Sequence, residues 1–357
     1  MLGLAARGGA VVPPGASDPG QAGHAVKCQK MLDKGVAKYL AAWTKIYSKC
    51  VGAIAACVQT KASDPACLSK AVTNCNEKIP ALNDENEGDL GLTLLEDPAV
   101  NFCGSLTLTN QLDAAGGILY NLRADECKNR FGIPSIASGI GSIAFCLFKE
   151  TDCAAEKLFL AQMPRAHHLL DDAGIVVGHA VGPNSCLSNV GGSGALADAK
   201  AGKTLLSCQN GVAKAGKGFA SKARGALAKC AGAVFACAQT KPTQKCVDTA
   251  GKTCAKQLAA VDAAELKLED TVAKKCEKTP LSDLLDANGG DVSGLAALCD
   301  SVGVASVDSV ATYASCLGKH ERCQVEDSIR FTSPRINELL AAAGLSATLP
   351  SAFCPAP

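Results

Sequence analysis

Lys49-Cys50-Val51-Gly52-Ala53-Ile54-Ala55-Ala56-Cys57-Val58-Gln59-Thr60-Lys61 decides the fold, because the chain writes it a second time as Lys229-Cys230-Ala231-Gly232-Ala233-Val234-Phe235-Ala236-Cys237-Ala238-Gln239-Thr240-Lys241. Outward from this stretch the cysteines keep step. The first half holds Cys28, Cys50, Cys57, Cys67, Cys75, Cys103, Cys127, Cys146, Cys153 and Cys186. The second holds Cys208, Cys230, Cys237, Cys246, Cys254, Cys276, Cys299, Cys316, Cys323 and Cys354. Successive gaps are 22, 7, 10, 8, 28, 24, 19, 7 and 33, against 22, 7, 9, 8, 22, 23, 17, 7 and 31. The largest difference falls where the first copy carries the acidic stretch Asn83-Asp84-Glu85-Asn86-Glu87-Gly88-Asp89. Two further motifs recur: Leu112-Asp113-Ala114-Ala115-Gly116-Gly117 with Leu285-Asp286-Ala287-Asn288-Gly289-Gly290, and Pro164-Arg165 with Pro334-Arg335. A repeat shows the unit of folding before any single residue does.

The spacing within each copy is helical. From Cys28 to Cys57 the apolar positions are Cys28, Leu32, Val36, Tyr39, Trp43, Ile46, Cys50, Ile54 and Cys57, in steps of three and four. That is the stripe of an amphipathic helix with its cysteines on the buried face. Cys246, Ala250, Cys254, Leu258, Val261, Leu268, Val272 and Cys276 form a second stripe after the break at Pro242. Residues facing one another across an antiparallel pair have numbers of constant total. Cys208/Cys276, Cys230/Cys254 and Cys237/Cys246 meet that test, as do Cys50/Cys75 and Cys57/Cys67. Cys28/Cys103 meets it once the acidic insertion is allowed for. The expectation is three nested disulfides lacing one αα-hairpin in each copy, with Cα atoms within ~7 Å. A shorter helix pair follows, near 135–149 with 153–173 and near 304–318 with 323–343. There the expected bridges are Cys146–Cys153 and Cys316–Cys323 across the connecting loops, with Cys127–Cys186 and Cys299–Cys354 outside them.

The fold class expected is therefore all-α, two tandem copies of a disulfide-laced helical hairpin plus a shorter helix pair. Residues 26–186 form the first copy and 208–357 the second. The Gly/Ala-rich stretch 187–207 reads as a linker, and 1–25 as disordered or residual targeting sequence.

Composition narrows function by exclusion. Only 4% of residues are aromatic, and 35 basic against 34 acidic residues leave a net charge of +1. That balance lacks the footprint of a nucleic-acid binder. No run approaches the ~20 apolar residues of a transmembrane helix. Twenty cysteines without a Cys-x-x-Cys favour disulfides over metal, and with them a periplasmic, cell-surface or extracellular address. Met1 to Ala6 is apolar only briefly before Arg7 and Pro13-Pro14, so the reading is of a signal peptide clipped by a late start.

His167-His168-Leu169-Leu170-Asp171-Asp172 is the one metal-like cluster, with His167/Asp171 and His168/Asp172 at i,i+4. The second copy has Asn337-Glu338-Leu339-Leu340-Ala341-Ala342 there, so the fold does not require it. Two Asp/Asn segments fail the calcium-loop pattern, with Leu94 and Ala297 where glutamate is needed. They read as an acidic loop and a Gly-Gly helix terminator. The lysines between Lys214 and Lys229 read as a solvated helix face. Arg165 and Arg335 read as capping or inter-helix ion-pairing residues, with an anionic ligand as the alternative. No Gly-x-Ser-x-Gly, P-loop or His-Glu-x-x-His motif is present.

Cys28-Gln29 with Cys208-Gln209, Lys49-Cys50 with Lys229-Cys230, and Pro164-Arg165 with Pro334-Arg335 make the chain resemble duplicated, Cys-rich helical proteins of environmental bacteria. The resemblance covers most of residues 28–354 and implies secretion and repeat architecture. It carries over no catalytic residues, cofactor or partner. The functional expectation is a secreted or cell-surface, non-enzymatic structural or binding module without a cofactor. A small-ligand or metal carrier, and a hydrolase with an unfamiliar site, are the alternatives.

Overall fold

The computed structural model describes residues 14–15, 18–79, 92–106, 117–133, 139–175, 186 and 190–355. The Asn83–Asp89 insertion lies outside them. Among the described residues there are twelve α-helices and no strand. The first copy supplies α1 (Pro19–Thr60), α2 (Pro65–Asn76), α3 (Asp97–Cys103), α4 (Ala124–Phe131), α5 (Ile140–Gln162) and α6 (Ala166–Asp172). The second supplies α7 (Ala199–Thr240), α8 (Gln244–Cys276), α9 (Leu281–Leu285), α10 (Ala296–Ser301), α11 (Val310–Thr332) and α12 (Ile336–Ala342).

The duplication is visible in the longest helices. Both α1 and α7 run 42 residues, and both start on an aspartate N-cap, Asp18 or Asp198, whose side chain accepts a backbone N–H. Each ends with the backbone N–H of Lys61 or Lys241 donating to the carbonyl of Cys57 or Cys237. Likewise α5 and α11 are both 23 residues long. Helix α7 begins inside the stretch read as linker, so Ala199–Ser207 is helix, and α1 begins at Pro19, inside the segment read as disordered. The aspartate caps are the local reason for both starts.

Corresponding helices of the two copies pack on each other antiparallel. At one end Gly202 of α7 lies against the backbone of Gln59 in α1; at the other, Gly15 lies against the Ala238 carbonyl. Tyr313 near the start of α11 donates to the Ala161 carbonyl near the end of α5 at 3.0 Å. One continuous apolar core includes Trp43, Tyr47 and Phe159 from the first copy and Phe219, Phe235 and Phe331 from the second. Trp43 stacks on Tyr47 at 3.6 Å between ring centroids, with Phe159 edge-on to both. The molecule is thus a pseudo-two-fold assembly with one shared core.

Ten disulfides staple it, each within one copy. Cys28–Cys103, Cys50–Cys75, Cys57–Cys67, Cys208–Cys276, Cys230–Cys254 and Cys237–Cys246 lace α1 and α7 to their partners, with Cα separations of 4.4 to 5.7 Å. The other four differ from expectation. They are Cys127–Cys146, Cys153–Cys186, Cys299–Cys316 and Cys323–Cys354, in place of Cys127–Cys186, Cys146–Cys153, Cys299–Cys354 and Cys316–Cys323. The reason is that α5 and α11 are unbroken where a connecting loop was expected. Seven residues of helix separate two Cα atoms by ~10 Å, beyond the reach of a disulfide. Pro164 and Pro334 do end these helices, and α6 and α12 restart two residues later.

Candidate binding groove and the seam beneath it

The repeated motifs meet at the seam between copies. Arg165, just after α5, is buried, and it donates to the carbonyls of Gly289 at 2.9 Å and Gly194 at 2.6 Å, and to those of Asn288 and Gly192. One guanidinium of the first copy therefore holds the Asp286–Gly290 turn of the second. Gln59 holds the same turn, donating to the Asn288 carbonyl at 2.6 Å while its Oε1 accepts from Leu196 N–H at 3.0 Å. Reciprocally, Arg335 of the second copy donates to the Gly117 carbonyl of the first at 3.1 Å and to the Pro14 carbonyl at 3.0 Å. Gln29 donates to the Ser333 hydroxyl across the same seam. Both arginines spend donors on backbone carbonyls across the seam, which is not the capping or inter-helix ion-pair role read from sequence; among the described residues only Arg335 of the two also pairs with a carboxylate, Glu338 of its own helix at 2.8 Å. The joint around Gly191 is a packed collar. Gly191 has φ of +84°, and a Cβ there would lie 2.6 Å from Arg165 Cγ.

The interior also holds a set of buried polar groups. Glu321 on α11 is fully buried and accepts from Gln162 Nε2 at 2.9 Å. Burial pushes its carboxyl up to about 8, against the lowering effect of the Gln162 hydrogen bond, so it is neutral at pH 7. Glu156 on α5 is pushed up to about 9 by burial and then by Asp152. Asp152 accepts from Trp43 Nε1 at 2.7 Å and Tyr39 Oη at 3.0 Å. His320 is pushed down to about 4 by burial, with a ring nitrogen 3.2 Å from the Lys157 carbonyl. Arg224 donates to the Asp33 carbonyl at 2.6 Å, with the Asp33 carboxylate at 3.5 Å, and its Nε has no partner among the described residues.

Two grooves flank α7. One, about 490 Å³, lies between α7 and α8 over Phe219 and Leu268, with Lys214, Lys222, Lys267 and Lys275 in its walls. The other, about 500 Å³, lies between α7, α1 and α5 over Leu40 and Leu158, with Lys214, Lys217, Gln162 and Arg224 in its walls. The grooves share Lys214 and Gly218, and among the described residues no Asp or Glu lines either. Glu265 and Glu269 of α8 face α11 instead, both lying against Gly318, with Glu265 paired to Arg322 at 2.9 Å. Burial and then the neighbouring Lys45 and Lys49 lower the pKa of Lys217, so positive charge is concentrated here. Apolar floors with cationic walls are the make-up of a site for an anion carrying an apolar part.

The residues singled out as metal-like do not form a site. His167, His168, Asp171 and Asp172 all lie on α6, the aspartates exposed and the histidines half-buried. Among the described residues no group of three or more His, Cys, Asp or Glu side chains is placed to hold a metal ion. The Asp286–Gly290 segment is a hydrogen-bonded turn, in which Gly290 N–H donates to the Asp283 carbonyl. The lysines from Lys214 onward, read as a solvated face, are partly the groove walls. One signal for the groove was available: Gly211, Gly218, Gly225 and Gly232 recur every seven residues along α7, which a merely solvated helix face does not call for.

Comparison with family models, with curated proteins and with solved structures finds no match. Among the described residues no helix is long and apolar enough to cross a membrane. The class defined here is a disulfide-stabilised, all-α duplicated protein.

Proposed function

We propose that this chain is a secreted or cell-surface, non-enzymatic binding module, in which two stapled helical copies form a rigid support for a ligand groove. The observation that carries the reading is the pair of grooves along α7, apolar below and lysine-walled above, one of them built from both copies. Ten disulfides support an oxidising address, because reducing compartments do not keep them. The resemblance to duplicated, Cys-rich helical proteins of environmental bacteria points the same way. A support that rigid favours a preformed site, since little order need be gained on binding.

The test is a calorimetric panel of anionic ligands from several chemical classes: alkyl carboxylates, acidic peptides and sulfated sugars. At least one class is expected to bind the native protein, and to lose at least tenfold in affinity when Lys214, Lys217 and Lys222 are replaced by Gln. A panel without any binder, or binding indifferent to the triple substitution, overturns the reading.

A further inference from the structure

We infer that the trough over α7 takes a free, single-chain amphiphilic anion, an alkyl carboxylate, with its head among Lys214, Lys217 and Lys222 and its chain on the apolar floor. This rests on the binding-module reading and names its ligand class. Three independent features converge on it.

The first is charge. Five lysines, Lys214, Lys217, Lys222, Lys267 and Lys275, line the two grooves with no carboxylate among the described lining residues, in a chain whose net charge is only +1. The one arginine there, Arg224, is already committed to Asp33. Ammonium groups act as point charges without the fork that selects phosphate. The grooves follow the middle of α7 and the C-terminal parts of α8 and α5, where backbone N–H groups are used within the helix. The N-terminal N–H cradle that phosphate sites use is therefore absent from this trough, and a singly charged carboxylate head suits it better.

The second is shape. The trough follows α7 from Ser207 to Gly225, ~27 Å at 1.5 Å per residue. Gly218 sits where the two grooves meet, and a Cβ there would touch nothing within 4 Å. Packing within the chain does not call for glycine at this position, although glycine costs a helix ~1 kcal/mol relative to alanine. An elongated guest crossing bare backbone does call for it. In the first copy the equivalent position is Lys38, so the trough belongs to the second copy's helix alone.

The third is the wall of the second groove. Gln162 and Arg224 are both at least nine-tenths buried, and each keeps a polar atom without a partner among the described residues, Gln162 Oε1 and Arg224 Nε. Buried polar atoms in folded proteins are nearly always satisfied, so two orphans in one groove wall mark a place where a polar guest or its water belongs.

The experiment is titration calorimetry of the full chain, disulfides intact, with laurate as the probe. Dodecanol supplies the chain without charge, acetate the charge without the chain, and a tetraglutamate peptide a different anionic class. Laurate is expected to bind one to one, and both dodecanol and acetate at least tenfold more weakly. Lys214→Glu/Lys217→Glu is expected to weaken laurate at least tenfold. Gly218→Leu, which fills the saddle with a better helix former, is expected to do the same while leaving the circular dichroism spectrum and melting temperature at or above those of the parent. Laurate that fails to bind, that binds no better than dodecanol, or that ignores both variants overturns the inference. If tetraglutamate binds and laurate does not, the ligand class is wrong and the module reading stands. If no anion of any class binds, both fall.

Discussion

Arg165 shows how much a single side chain can carry in this molecule. Its guanidinium replaces solvent for four carbonyls of the other copy's turn and of the joint, and burial lowers its pKa to about 10 without neutralising it at pH 7. Charged hydrogen bonds contribute ~1.5–3 kcal/mol each, and removing the donor leaves its acceptors unsatisfied. Arg165→Ala is expected to cost about 3–5 kcal/mol in chemical denaturation, and Arg165→Lys more than half of that, because one ammonium cannot reach four carbonyls. A loss below 1 kcal/mol would remove the latch from the account. Glu321 makes a different prediction, about pH. Its folded pKa of about 8 lies above the ordinary carboxyl value, so between the two the folded state holds a proton that the unfolded chain has released. Its contribution is complete at acid pH and is lost as pH rises through about 8; Glu156 extends the same trend to about 9. His320 works oppositely, its contribution being lost as pH falls from ~6.5 through about 4, so it is flat above neutrality. The melting temperature is therefore expected to fall from pH 6.5 to 8, and to fall less in Glu321→Gln, which mimics the protonated side chain. Equal slopes in the two proteins would contradict it. The repeated Gln59, Arg165 and Gly117 were conspicuous in the sequence as motifs. Their meeting across the seam was not legible, since a motif's periodicity says nothing of which copy supplies its partner.

At the scale of helices, what the sequence made legible is what periodicity controls. The stripe from Cys28 to Cys57 and the constant totals of cysteine numbers describe α1 and α7 with their six bridges. The last four cysteines of each copy were misread because Glu150-Thr151-Asp152 looks like a polar loop. In the structure these residues are buried inside α5, Asp152 satisfied by Tyr39 and Trp43, and tertiary partners outweigh local polarity. Of the groove only the seven-residue glycine spacing along α7 was legible, for a related reason: lysines on a helix look the same whether the next helix leaves a trough or water beside them. The bridges differ in reach, and the difference is measurable. By the chain-entropy relation, replacing Cys28 and Cys103 by alanine, across 75 residues, costs about 4.5 kcal/mol. Replacing Cys57 and Cys67, across 10 residues, costs about 2.7 kcal/mol. Equal costs in urea unfolding would contradict that ordering. Glycines of α7 divide by environment in the same way. A Cβ on Gly216 would lie 2.1 Å from Glu321 Oε1, so Gly216→Ala is expected to lose about 1–3 kcal/mol despite its better helix propensity. Gly225 meets nothing, and Gly225→Ala is expected to gain up to about 1 kcal/mol.

For the whole molecule, the duplication builds one body with a common core and reciprocal latches. Copy one grips the second through Arg165 and Gln59, and copy two grips the first through Arg335. Long helices α1 and α7 lie antiparallel at the centre, as in an isologous dimer whose subunits have become one chain. The symmetry is broken along the trough: Lys217, Gly218 and Arg224 stand where the first copy has Ala37, Lys38 and Thr44. All ten bridges stay within a copy, so covalent stapling does not join the two; burial and the latches do. That separation of roles gives the most direct measurement of the central claim. A protease site inserted after Ser188 and cleaved in the native protein yields two fragments not connected by any disulfide, separable on a non-reducing denaturing gel. The account predicts that, before denaturation, the fragments elute together in gel filtration at the size of the intact chain. Fragments that part on cleavage and elute as two stable, folded halves would contradict it.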